Sequence, residues 1–205
     1  MPASSQRLAV VVEPTSECLD GCRGGDADAI EELFRNHVGL VEHVLGRLVG
    51  PVADLEDLTQ TAFLEALRAL PRFRGDASFK TWLLSIAIHV GQHYLRAGKI
   101  RRHVPLDLVP DETFAAHHDY DRRLDERRLG PELHHVLDAI DAKKRIALLL
   151  YVIEGHSVDE IAALMCASVT ATRSRIFFAR RELKKLLTRN ERLAAHVSAL
   201  LGGAR

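Results

Sequence analysis

The chain of 205 residues is poor in cysteine, aromatic residues and long apolar runs. Three cysteines cannot form a disulfide framework, which favours a reducing compartment and predicts a cytoplasmic protein. Aromatic residues make up only 5%, which argues against a Tyr-rich β-sandwich. No apolar run approaches the roughly 18 residues that a membrane span needs, and the apolar patch at 8–12 lacks the features of a signal peptide. We therefore expect no membrane insertion.

The net charge is zero, but the charges are segregated along the chain. Residues 13–70 carry twelve acidic residues against four Lys or Arg, and residues 104–132 have a net charge of −4. Residues 72–103 and 168–189 each have a net charge of +6. Two separate basic stretches indicate two contacts with a polyanion. Solvated helix faces explain either stretch equally well when it is taken alone.

Apolar residues recur every three or four positions, and no stretch alternates as a β-strand does. This predicts an all-α fold of two small helical domains joined by a flexible acidic linker. The predicted boundaries are a disordered N-terminal tail at 1–23, a first domain at 24–102, the linker at 103–130, a second domain at 131–189 and a C-terminal tail at 190–205.

The second domain contains the sharpest local signal. Ser157 and Glu160 have the spacing of a capping box, which begins a short helix in which the small Ala162 permits close approach of a neighbour. A turn at 166–168 then leads into a long basic helix that begins at Val169. This order predicts a DNA-binding helix-turn-helix whose second helix enters the major groove. The alternative is a helical hairpin with a solvated basic face.

Three stretches together resemble one protein family. Residues 54–66 read DLEDLTQTAFLEA, residues 73–83 read FRGDASFKTWL, and residues 161–180 contain IA, TRSRI and AR. They are similar to the D-L-x-Q-x-x-F, F-R-G-x-x-S-F-x-T-W-L and I-A…V-K-S-R-L…A-R motifs of extracytoplasmic-function (ECF) sigma factors. The resemblance implies a bacterial subunit of RNA polymerase that directs promoter-specific initiation, without catalysis, metal or cofactor of its own.

The resemblance also implies three sets of contact residues. The D-L-x-Q helix would bind core RNA polymerase through Asp57, Gln60 and Phe63. The F-R-G loop and the helix after it would bind the −10 promoter element and capture a flipped base, and the residues are Arg74, Gly75, Asp76, Ala77, Ser78, Lys80, His89, His93, Arg96, Arg101 and Arg102. The long basic helix would bind the −35 element through Ser168, Thr170, Ala171, Arg173, Ser174, Arg175, Arg180 and Lys184. The linker would run towards the active-centre channel, and an anti-sigma factor is a further expected partner.

Several positions depart from the family pattern. Cys166 stands where a turn glycine is usual, and Thr172 where a buried Val is usual. His89 and His93 replace residues that are commonly Asn or Asp. Trp82 could stack on a base, but its spacing from Ile86 favours core packing.

Two other classes of protein remain to be considered. A helix-turn-helix regulator that does not engage polymerase would leave the D-L-x-Q and F-R-G stretches unexplained. A metal enzyme could use the His-rich linker around 117–121, His134 and His135, or the pair Cys18 and Cys22. Adjacent histidines in a linker point in different directions, and two cysteines lack the two further ligands of a tetrahedral zinc site.

Overall fold

The computed structural model describes residues 13–50, 52–102 and 131–188, with the side chains of 99–102 and 131–134 left out. Within these ranges the chain forms eight α-helices and no strand, which confirms the all-α prediction. The predicted linker at 103–130, residues 1–12 and residues 189–205 lie outside the described ranges. The helices are α1 (Ser16–Gly24), α2 (Ala27–Val49), α3 (Leu55–Ala69), α4 (Phe79–Arg102), α5 (Pro131–Asp138), α6 (Ala142–Val152), α7 (Val158–Leu164) and α8 (Val169–Leu187).

Helix α1 corrects the prediction of a disordered tail over 1–23, which is wrong from Ser16 onward. The side chain of Thr15 caps the helix by accepting a hydrogen bond from the backbone N–H of Cys18. Gly25 ends it in the left-handed conformation, with φ 80°, as helix C-termini often do. Cys22 is buried against the neighbouring helices. The Pro14-Thr15-Ser16 segment is therefore the start of a helix.

Helices α2, α3 and α4 form the N-terminal domain around its own core. Asp26 caps α2 by accepting hydrogen bonds from the backbone N–H groups of Asp28 and Ala29. A short 3₁₀ helix, Leu70–Arg72, follows α3 and leads into the loop before α4. We call the buried apolar cluster of this domain the N-terminal core, and it consists of Cys22, Leu33, Val41, Leu45, Ala62, Phe63, Ala66, Leu70, Phe79, Leu83, Ala87 and Val90.

The four helices α5 to α8 form the C-terminal domain. Helix α6 is buried from Arg145 to Leu150. The apolar run that begins at Ile146 ends in Tyr151, Val152 and Ile153, which are half-buried. The buried apolar residues of α6 form one cluster with Ile161 on α7 and Ile176 on α8. This cluster does not stop at the domain boundary: it includes Leu48 of α2 and Ile88 of α4. We call it the shared core.

Among the described residues, no single helix combines the length and apolar character needed to cross a membrane. Helices α7 and α8 meet the length and composition criteria only as a pair bent by 105°.

Candidate nucleic-acid and protein interfaces

Helices α7 and α8 form the predicted helix-turn-helix. Ser157 and Glu160 make both hydrogen bonds of the capping box, and the backbone N–H of Ser157 lies 2.7 Å from a carboxylate oxygen of Glu160. These hydrogen bonds hold the pKa of Glu160 below its usual value. Ser168 caps α8 by accepting from the backbone N–H of Ala171. The two helices meet at 105°, within the range typical of this motif.

The turn between α7 and α8 places Cys166 at a positive φ, which is costly for a residue with a Cβ. Cys166 has φ 47°, and it is the one non-glycine residue with positive φ in the described part of the chain. Its N–H donates to the carbonyl of Ala163, and the N–H of Ala167 donates to the carbonyl of Ala162 at 2.8 Å. The departure from the usual turn glycine therefore leaves the turn geometry intact but strained. Thr172 is fully buried, and its hydroxyl donates to the carbonyl of Ser168 at 3.0 Å.

The outer face of α8 presents most of the residues predicted to contact DNA. Ser168, Thr170, Arg173, Ser174 and Lys184 are exposed, whereas Ala171 and Arg175 are half-buried. A basic helix with polar residues at its N-terminal end is suited to base edges near that end and to phosphates farther along.

Arg180, which the resemblance places among the −35 contacts, differs from the exposed residues of this face. Its guanidinium lies over the ring of Tyr151, 4.9 Å from the centroid, and is half-buried. A guanidinium stacked on an aromatic ring is a packing element of the domain. Arg181, the next residue, is exposed instead.

Two aromatic residues on α8 were not predicted to be surface residues. Phe177 is 61% exposed and Phe178 is 46% exposed, and their rings meet at 5.4 Å. Phe177 lies on the same stripe as Thr170, Ser174 and Arg181. The sequence did indicate this exposure, because a helix can bury only about one of the three consecutive apolar residues at 176–178.

The loop between α3 and α4 is open to solvent throughout. Arg74, Gly75, Asp76, Ala77 and Ser78 are all exposed. Gly75 has φ 79°, and a Cβ at this position would meet nothing within 4 Å. Its requirement for glycine is therefore conformational rather than steric. The loop is free to approach another molecule closely.

Two neighbouring segments hold the ends of this loop. The carboxylate of Glu13 accepts hydrogen bonds from the backbone N–H groups of Phe79, at 2.9 Å, and Lys80, at 3.3 Å. The guanidinium of Arg23 donates to the carbonyl of Phe73 at 3.4 Å. The hydroxyl of Ser78 also accepts from the backbone N–H of Thr81, so Ser78 caps α4. No sequence pattern connected Glu13 or Arg23 with this loop.

The residues predicted for the −10 element on α4 fall into separate groups. His93 and Arg96 are exposed, Lys80 and His89 are half-buried, and Nδ1 of His89 lies 2.7 Å from the carbonyl of Ser85. The side chains of Arg101 and Arg102 lie outside the described part of the chain.

The contacts of Trp82 confirm the prediction that its side chain packs against the core. It is half-buried, with its ring centroid 4.9 Å from that of Phe73 and 5.4 Å from that of Phe79. Both partners belong to or pack against the N-terminal core.

Helix α3 presents two of its three predicted polymerase contacts. Asp57 and Gln60 are exposed and lie three residues apart on one face. Phe63 is a correction: it is only 6% exposed, belongs to the N-terminal core and packs against the ring of Phe34 at 4.7 Å. Burial, and to a lesser extent the negative charge of Glu56, raises the pKa of Glu42.

No group of three potential metal ligands occurs among the described residues. Cys18 and Cys22 are free thiols one helical turn apart on α1. Burial, with the neighbouring thiol and acidic residues, raises the pKa of Cys22 to about 11, and burial also raises that of Cys18. Both thiols are therefore protonated at neutral pH in the free protein.

The fold and these surfaces define a two-domain helical protein with a DNA-binding helix-turn-helix. The model of sigma-70 region 2 matches residues 33–100, and that of sigma-70 region 4 matches residues 131–183. The RNA polymerase sigma-H factor of Pseudomonas aeruginosa is 31% identical over 183 residues, which is 85% of this chain and 94% of that protein. The ECF RNA polymerase sigma-E factor of Escherichia coli K12 is 34% identical over 163 residues, 76% of this chain and 85% of that protein.

Two solved structures are similar over most of the chain. CnrH, solved in complex with the cytosolic domain of CnrY, is 25% identical with a TM-score of 0.54 and covers 85% of this chain and 97% of its own. The sigma factor RpoE of Bartonella quintana, solved with the anti-sigma factor NepR, is 22% identical with a TM-score of 0.52 over 78% of this chain and 97% of its own. The second shows likeness of fold alone. The chain belongs to the sigma-70 family, as an ECF sigma factor that directs transcription initiation with core RNA polymerase.

Proposed function

We propose that this sigma factor reads two promoter elements, with α8 on the −35 duplex and with the 74–78 loop and α4 on the −10 element. The observation that supports the proposal is a pair of separate exposed surfaces with basic residues, one on each domain. Its action is binding rather than catalysis, with no cofactor, and it takes place where RNA polymerase is, in the cytoplasm.

The −35 contact is with double-stranded DNA. Arg173 is exposed near the N-terminal end of α8, where a recognition helix meets base edges. Lys184 is exposed about three turns farther along and is suited to a phosphate. Arg173 is better placed for base reading than the half-buried Arg175.

Binding of the full chain to a −35 duplex and to a random duplex tests this assignment. We expect Arg173→Ala to cost about 1–3 kcal/mol on the promoter duplex and much less on the random one. Lys184→Ala should weaken both equally and reduce the slope of log affinity against log salt by about 0.9. If both variants lose affinity equally on both duplexes, neither residue reads sequence.

The −10 contact is with an unpaired strand. An exposed loop with a glycine in the left-handed region lets the backbone approach an unstacked base. Lys80 supplies positive charge beside the loop, and Arg96 supplies it farther along α4. Substitutions at Gly75 and Asp76 should therefore leave binding of a closed −35 duplex unchanged. They should reduce permanganate reactivity of thymines near the start site, and a pre-melted bubble should rescue them only in part. Unchanged thymine reactivity would show that the loop is a helix connector.

The polymerase contact is the exposed face of α3 that carries Asp57 and Gln60. Asp57→Arg should abolish co-purification with core polymerase while circular dichroism stays unchanged. Glu32→Arg is the matched control, since Glu32 is an exposed acidic residue on α2 rather than α3. Normal assembly and initiation by Asp57→Arg would remove this face from the interface. Failure of the unaltered protein to bind core polymerase would favour a regulator that acts alone.

An anti-sigma factor is the remaining expected partner. The support is that the two similar solved structures hold sigma factors in complex, one with the cytosolic domain of CnrY and one with the anti-sigma factor NepR.

A further inference from the structure

Aromatic side chains bring the two ends of the 74–78 loop together. Phe73 precedes the loop and Phe79 follows it, and their rings meet edge to face with centroids 5.8 Å apart. Both rings also contact Trp82, at 4.9 Å and 5.4 Å. The direction in which the backbone enters and leaves the loop depends further on the hydrogen bonds of the backbone groups at these ends.

Glu13 fixes the end of the loop. Its two carboxylate oxygens accept hydrogen bonds from the backbone N–H groups of Phe79, at 2.9 Å, and Lys80, at 3.3 Å. The first N–H groups of a helix lack partners within the helix, and the helix dipole favours a carboxylate there. The hydroxyl of Ser78 accepts from the next N–H group, that of Thr81, at 3.2 Å. The start of α4 is therefore paired in part by a side chain 66 positions earlier in the chain.

Arg23 fixes the start of the loop. Its guanidinium donates to the carbonyl of Phe73 at 3.4 Å, and an ion pair with Asp20, at 2.6 Å, holds the guanidinium in place. The carbonyl of Phe73 belongs to the peptide group that joins Phe73 to Arg74. The hydrogen bond from Arg23 therefore orients the backbone where it enters the loop.

Helix α1, which carries Arg23, is itself firmly packed. A Cβ at Gly21 would lie 2.9 Å from the Cβ of Ala29, so α1 and α2 are in close contact. The N–H of Asp26 donates to the carbonyl of Gly21 at 3.0 Å, and Cys22 is only 7% exposed. The match to sigma-70 region 2 begins at residue 33, so this support lies outside the matched residues.

We propose that residues 13–24 are a positioning element for the −10 contact, in which Glu13 and Arg23 hold the two ends of the 74–78 loop in the path that receives an unpaired base. Both act through the loop and are positioning residues. This proposal rests on the proposed −10 function of the loop. Without Glu13 or Arg23 the loop takes other paths as well, and the apparent affinity for the unpaired strand falls with the fraction of loops that stay competent to bind.

The charge of Glu13 separates this role from a direct electrostatic effect. A carboxylate near a DNA strand repels the phosphates, so removal of its charge alone should strengthen binding. A positioning role predicts the opposite sign. It also predicts an unchanged slope of log affinity against log salt, because the number of neutralised phosphates stays the same.

The test measures binding of the holoenzyme to a single-stranded oligonucleotide. The oligonucleotide carries the non-template −10 sequence of a promoter mapped by in vitro transcription with this factor, and a scrambled strand is the reference. Glu13→Ala removes both acceptors and should raise the Kd for the −10 strand about tenfold if about a tenth of the loops stay competent. Glu13→Gln keeps one acceptor and should lie between Glu13→Ala and the unaltered chain. Arg23→Ala should also weaken binding of the −10 strand.

Glu17→Ala is the matched control, because it removes an exposed acidic side chain from α1, and it should bind as the unaltered chain does. Affinity for core polymerase and for a closed −35 duplex should be the same in all these proteins. Loss of either affinity in Glu13→Gln would show general damage to the fold and overturn the proposal. A smaller salt slope in Arg23→Ala would show a phosphate contact and overturn its positioning role.

The outcome for Glu13→Ala separates this proposal from the −10 function itself. Equal or tighter binding of the −10 strand by Glu13→Ala, with weaker binding by a Gly75 variant, would overturn the positioning role and leave the −10 function in place. Equal binding of the −10 and scrambled strands by the unaltered holoenzyme would instead overturn the −10 function, and the positioning role with it.

Discussion

The strained turn of the helix-turn-helix allows a test of how one φ angle affects stability. Cys166 connects α7 and α8 with φ 47°, a region that L-residues with a Cβ adopt at a cost. The residue is exposed, so its side chain contributes little burial. Cys166→Gly therefore removes strain while losing few contacts.

The magnitude follows from two opposing effects. A residue with a Cβ in the left-handed region costs about 1–2 kcal/mol relative to glycine. Glycine makes the unfolded chain more flexible, which costs about 0.4–1 kcal/mol. The strain is the larger of the two, so Cys166→Gly should stabilise the folded chain by about 0.5–1 kcal/mol. For a chain of this size that corresponds to a rise in Tm of about 1–4 °C.

Cys166→Ala is the matched control, because alanine removes the thiol but keeps the Cβ and its strain. Thermal and urea denaturation of the three proteins should place Cys166→Ala close to the unaltered chain and Cys166→Gly above both. Affinity for a −35 duplex should not change, since the turn geometry is already in place. Equal stability of the alanine and glycine variants, or a destabilised glycine variant, would refute the reasoning from backbone strain.

Three further outcomes are expected from the structure. Gly21→Ala should destabilise the packing of α1 by about 1–3 kcal/mol in urea denaturation, because a Cβ would lie 2.9 Å from the Cβ of Ala29, whereas Gly24→Ala, with open space around it, should not. Ser157→Ala should cost about 1 kcal/mol in thermal unfolding, since it removes the cap of α7. Burial raises the pKa of Glu154, but the hydrogen bond to His43 and the nearby positive charges outweigh this effect and lower the pKa below 4.5. The contribution of Glu154 to packing between the domains is therefore present above about pH 4.5 and is lost as the pH falls through the lowered pKa. Small-angle scattering at acid pH should detect this loss.

Much of the fold followed from local patterns. Apolar spacing predicted the all-α fold, and the capping box of Ser157 and Glu160 located the helix-turn-helix. Helix α1 was missed because a single threonine cap and one buried cysteine stabilise it, and its composition resembles that of a tail. The exposed Phe177 and the stacked Arg180 were missed for a related reason: spacing shows which residues share a face, but not which neighbour covers that face.

The sequence by itself determined the all-α class, the helix-turn-helix and the resemblance to sigma factors, because caps, turns and helical periodicity depend on residues a few positions apart. Only the tertiary structure decided that α2 and α4 bury a second face, and that Glu154 lies against His43 and Arg47 more than a hundred residues away. The paired apolar positions at 40–41, 44–45 and 48–49 give α2 an apolar stripe that is wider than a single helix face needs. The sequence does not indicate which helices cover the two sides of this stripe. Such contacts depend on which surfaces exclude water together, and that is settled only when the whole chain packs.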